Sequence, residues 1–140
     1  MGDDGTTILV ANPDTQIQEL LARIVETAGL SAVRLDAAVD IAQAVAVNAA
    51  DGLILDLGAG NLAALQAVRA RPEPAGLTSV IIVIGTGPAG GRLAWQAGAD
   101  AFLVRPFHAR DLQAAVTGAL ALDPAGRAAR RAAGLAELAS

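Results

Sequence analysis

The chain has 140 residues and a formal net charge of −4, with 54% hydrophobic and 17% charged residues, a balance that suits one globular domain and excludes a disordered one. It contains no Cys, no Lys, no Tyr and one His. These absences remove disulfide frameworks, thiolate zinc sites, cysteine nucleophiles, P-loop lysines and Schiff-base chemistry, and the acidic charge gives no footprint for nucleic acid. The segment Met1–Thr7 is polar and acidic, and no apolar run approaches the length of a membrane span, so a cytoplasmic protein without membrane contact is expected.

In chain order, residues 1–6 are expected to be disordered. Thr7–Ala11 (TILVA) is a short β-branched apolar run ended by Asn12-Pro13-Asp14. From Thr15 the apolar residues Ile17, Leu20, Leu21, Ile24 and Val25 recur at helical spacing, with Asp14 or Thr15 as N-cap and Gly29 as the stop. Ser31–Leu35 reads as a second strand and Ala38–Ala50 as a second helix. Gly52–Leu57 (GLILDL) is apolar except at Asp56, as suits a parallel strand buried on both faces. Asn61–Ala70 is helical and closes in the turn-rich Arg71–Gly76. Val80–Ile84 is the most strand-like run, followed by the loop Gly85–Gly91, a helix from about Arg92 to Ala97, a strand at Ala101–Val104 and a helix at Ala109–Leu120. Strand and helix alternate five times with short connections, which predicts an α/β domain over residues 7–120: a parallel sheet with helices on both faces. Residues 121–140 read as a helical tail or linker. Asp123-Pro124 can open it as N-cap and N1, and Arg127, Arg130 and Arg131 make it basic. An extension of the domain, a linker to an output domain and a partner-binding or dimerising helix all fit this tail.

Ligands of open α/β sheets sit outside the carboxyl ends of the strands. The candidates there are Asn12, Pro13 and Asp14 after the first strand, Asp56 after the third, Gly85 to Gly87 after the fourth, and Arg105 after the fifth. Asp56 stands out, because a carboxylate ending an apolar strand is costly to bury unless donors or a cation hold it. The glycine-rich Gly85–Gly91 loop offers a second reading, a small α/β ligand-binding protein or enzyme that cradles a phosphate or nucleotide. It lacks a G-x-G-x-x-G turn and a Walker lysine, and a plain loop is the simpler account.

Three stretches, ILVANPD followed by QELL, DGLILDL, and AGADAFLVRPF, together resemble the landmarks of the receiver domain of two-component response regulators, the CheY-like proteins. The resemblance covers about Thr7 to Leu120. It implies a flavodoxin-like sheet of strand order 2-1-3-4-5 and a phosphorelay signalling role in place of an enzyme activity. Asp56 falls at the phosphoacceptor. Mg²⁺ would be held by Asp56, by the position of Asn12 and by the carbonyl of Gly58. It further implies a cis Arg105-Pro106 bond and a partner face of the fourth helix, fifth strand and fifth helix that includes Trp95, Phe102 and Pro106. A histidine kinase or other signalling protein, an output domain or a second copy of the chain are the implied partners.

The sequence departs from that pattern at four places. The acidic pair after the first strand is Asn12-Pro13, and Asp14 one position later reads as a helix cap. The Thr or Ser ending the fourth strand is Gly85, with Thr86 next to it. The phosphate-pairing Lys is Arg105, and the loop after Asp56 is short. Loss of two carboxylates should weaken Mg²⁺ binding severely. These changes predict an atypical, phosphorylation-independent receiver in which Arg105 pairs with Asp56 and acts through protein contact. Trp95 and Phe102 fit either the core or an interface, and His108 reads as a solvated first-turn residue.

Overall fold

The computed structural model of the chain describes residues 6–35, 40–71, 78–87 and 90–139. The predicted disorder of residues 1–6 falls, except for Thr6, outside them, as do the expected start of the second helix at Ala38 and the Pro72–Gly76 turn.

Five strands, β1 (Thr7–Ala11), β2 (Ser31–Arg34), β3 (Gly52–Leu55), β4 (Val80–Gly85) and β5 (Ala101–Val104), form one sheet in the order β2-β1-β3-β4-β5. Every pairing is parallel. The expected α/β architecture and its 2-1-3-4-5 order are therefore present. Alternation along each strand sends residues to two cores. Leu9, Leu53, Leu55, Ile81 and Val83 face one way, against Val45 of α2 (Ile41–Asn48), Leu65 and Val68 of α3 (Asn61–Ala70) and Ala94 of α4 (Gly91–Gln96). Ile8, Val10, Ile54, Ile82 and Ile84 face the other way, against Leu21 and Val25 of α1 (Thr15–Thr27) and Leu112 and Val116 of α5 (Ala109–Leu120).

Local chemistry sets the element ends. Asp14 caps α1, its carboxylate accepting from the N–H groups of Gln16 at 2.8 Å and Ile17 at 3.4 Å. Gly29 ends the following turn at φ +89°, a conformation that favours glycine. The third strand is shorter than its apolar run. It stops at Leu55, because the Leu57 N–H turns away to Asn61 Oδ1 at 2.7 Å and a 3₁₀ turn, Gly58–Gly60, begins. Helix α4 has only six residues.

The tail is a sixth helix, α6 (Pro124–Ala139), whose first turn is capped by Asp123 Oδ1 accepting from Gly126 N at 2.7 Å. It packs on α4. A Cβ added at Gly134 would meet the Trp95 ring at 2.5 Å, so the helix backbone rests directly on the indole. No helix among the described residues is long and apolar enough to cross a membrane.

Candidate functional site

The register pairs Ala11 with Leu55 and Gly85 with Val104. Asn12, Asp56, Thr86 and Arg105 each follow one of these paired residues, so all four emerge at the carboxyl edge of the sheet. Asp56 is 6% exposed, and its N–H still donates to Ala11 at 3.0 Å. Both oxygens of its side chain accept hydrogen bonds from neighbours. Arg105 Nη1 donates to Oδ1 at 2.6 Å, Arg105 Nη2 donates to Oδ2, and Asn12 Nδ2 donates to Oδ2 at 2.6 Å. A guanidinium is planar and presents two parallel N–H groups, so it closes on both carboxylate oxygens at once. The hydrogen bond to Asp56 raises the pKa of Arg105 above its ordinary value.

The surroundings fix this pair. The Arg105 N–H donates to the Gly85 carbonyl at 2.9 Å, and the Arg105-Pro106 bond is cis. Asn12 is oriented from its other end, since its Oδ1 accepts from the Asp14 N–H at 2.7 Å. Asn61 is buried and ties the loop after Asp56 to the sheet through Nδ2, which donates to the Ile84 carbonyl at 2.9 Å. A Cβ at Gly85 would meet the Phe102 ring at 2.9 Å. The ring thus occupies the space that a side chain at position 85 would need. Thr86, one residue on, is exposed, and lines the same cleft as Asp56 and Gly58. His108 is exposed as well, its N–H donating to Asp111 Oδ2 at 3.0 Å. Of the three residues assigned to a partner face, Pro106 is exposed, Phe102 is half-buried over Gly85, and Trp95 lies against α6.

The donor set suits Mg²⁺ poorly. A magnesium ion is held by hard, mostly anionic oxygens. Here Asp56 gives both oxygens to Arg105, Asn12 gives its oxygen to the backbone, and Asp14 caps α1. Among the described residues, no three His, Cys, Asp or Glu side chains come together as a metal cluster.

A second buried charge lies at the opposite edge of the sheet. Asp100 is wholly buried and accepts from Ile81 N at 2.9 Å, Arg127 Nε at 2.8 Å, Arg69 Nη2 at 3.0 Å and Arg131 Nη2 at 3.1 Å. Arg127 also donates to the Thr78 carbonyl, and Arg69 to those of Ser79 and Gly98. Burial pushes the Asp100 carboxyl up, but the hydrogen bonds from Arg127 and Ile81 and the charges of Arg127 and Arg69 outweigh it and leave the group below its ordinary value. Burial pulls Arg69 down to about 10, with Asp100 opposing and Arg127 and Arg131 adding to the fall. Sequence reasoning did not find this cluster, although the i, i+4 spacing of Arg127 and Arg131 was a signal for it.

Neither family models nor curated proteins match the sequence. Solved structures do match the fold. An orphan response regulator of H. pylori superposes at TM-score 0.70 and 15% identity, over 84% of this chain and 98% of that one. The receiver domain of a sensor histidine kinase from Pseudomonas aeruginosa, which has a magnesium ion coordinated in its active site cleft, gives 0.70 and 16% over the same shares. A CheY-like response regulator receiver domain from Methylobacillus flagellatus gives 0.70 and 19%, over 81% and 98%. The fold of this chain is the receiver-domain fold.

Proposed function

We propose that this chain is a receiver-type signalling domain of a bacterial two-component phosphorelay, one that acts by protein contact in the cytoplasm and not by phosphoryl transfer. The observation that carries this reading is the Arg105 fork on Asp56. For a carboxylate to attack phosphorus, it needs an oxygen not paired with a cation, and cationic charge free to neutralise the phosphoryl oxygens. Here the nearest cation closes the nucleophile itself, Asn12 occupies it from the other side, and the donors for Mg²⁺ are spent elsewhere. The contact surface is that of α4, β5 and α5, around Phe102 and Pro106, with Trp95 engaged together with α6 or upon its displacement. Its partner is a histidine kinase or another signalling protein, an output domain or a second copy. A phosphate or nucleotide on the Gly85–Gly91 loop is not favoured, since Asp56 is the charged side chain lining the cleft beside that loop.

Intact mass after incubation with a small phosphoryl donor and Mg²⁺ tests the reading, with Asp56→Asn alongside. The expected outcome is no added phosphoryl group in either protein. A gain that disappears in Asp56→Asn would overturn contact-only action and make Asp56 a working acceptor.

A further inference from the structure

A cleft of about 500 Å³ opens between α3 and α4, over the carboxyl ends of β3 and β4, with Phe102 of β5 in its wall. It exists because small residues succeed one another around it: Gly58 and Ala59 on one side, Gly87 and Gly90 on the other. A Cβ built at Gly87 or Gly90 meets nothing within 4 Å, so the space beside both is open. Leu65 and Val83, both buried, lie at its base, and Leu93 stands at its mouth, 52% exposed. Sites for small molecules typically span about 300–1,000 Å³, with apolar walls and a few placed polar groups. The walls here are mostly aliphatic or backbone, with Asp56 at one end.

The chemistry of that end restricts the occupant. A carboxylate has about four lone-pair sites. Arg105 and Asn12 together fill three of those on Asp56, two of them on Oδ2, which leaves an acceptor position at Oδ1. An anion entering the cleft would meet a carboxylate, and a cation would compete with a guanidinium already in place. We infer that the cleft binds a neutral, mostly apolar small molecule whose hydroxyl or N–H donates to Asp56. The inference is independent of the signalling role, since it needs neither phosphoryl chemistry nor a protein partner.

Titration of the full chain with 2-naphthol, followed by amide chemical shifts, tests it. Naphthalene-2-carboxylate serves as the charged comparison. The expected result is saturable shifts centred on Leu62, Gly85 and Leu93, with the carboxylate at least tenfold weaker. Gly90→Phe should fill the cleft from its rim at an unstrained φ of −84° and abolish binding while the spectrum stays folded. Gly87→Leu fills it from the neighbouring position and serves if Gly90→Phe does not fold. Absence of saturation, equal affinity for the carboxylate, or undiminished binding in a folded filled variant would each overturn the proposal.

Discussion

Arginine at position 105 and lysine at the same place are different devices. An ammonium is a point charge that leaves most of a carboxylate open, whereas a guanidinium covers both oxygens. Truncation by Arg105→Ala would leave Asp56 buried with Asn12 as its remaining side-chain donor. A loss of about 2 kcal/mol is expected, below the value for a fully buried pair because Arg105 is a third exposed; urea denaturation measures it. Asp56→Asn should cost less than half as much in the same experiment, because water reaches the released guanidinium. The Asp56–Arg105 meeting was legible in the sequence, since strand ends that share a sheet edge bring their first loop residues together. The roles of Asn61 and Gln18 were not. Both are buried and donate to backbone carbonyls, Asn61 to Ile84 and Gln18 to Leu35, and nothing in an isolated Asn or Gln distinguishes that use from an exposed one.

Among the elements, apolar runs located β1, β3 and β4, because strands buried on both faces need no alternation to be seen, whereas the edge strands β2 and β5 are only partly buried. The end of β3 escaped that logic. Leu57 continues the apolar run, yet its N–H is taken by a side chain four residues ahead. Helix α6 shows the same division. Its helicity follows from alanine content and the Asp123-Pro124 start, but its docking depends on a glycine meeting an indole, which no periodicity encodes. Gly134→Ala tests that contact with opposing forces. Alanine raises helix propensity by about 1 kcal/mol, while its Cβ would lie 2.5 Å from the Trp95 ring. Overlap at that distance should win. Trp95 is the sole tryptophan, so the expected outcome is a red-shifted emission and a lower unfolding midpoint; unchanged fluorescence with higher stability would show that α6 does not press on the ring.

For the molecule as a whole, Asp100 joins distant parts of the chain. Arg69 comes from α3, Ile81 from β4, and Arg127 and Arg131 from α6. Its carboxyl titrates below the ordinary value of 3.8 in the folded chain. As the pH falls the unfolded chain takes up this proton first, so the stabilisation is complete above about 3.8 and is lost as pH drops through the folded value. Arg127→Gln removes one of the groups that lower it. Acid unfolding followed by circular dichroism should then begin at a higher pH than in the parent, and an identical acid limb would show that Arg127 does not set the Asp100 proton affinity. The spacing of Arg127 and Arg131 puts both on one helix face, but which carboxylate they enclose depends on how the tail folds back.

The fit of Phe102 over Gly85 carries a consequence for the order in which this sequence could change. A side chain at position 85 would put its Cβ 2.9 Å from the far end of the ring, so it enters only if the ring turns aside. Shrinking the ring first would widen the cleft that Phe102 already lines and remove that obstacle. The two positions are therefore epistatic: the cost of a new side chain at 85 depends on what stands at 102, and a smaller residue at 102 makes the change at 85 easier.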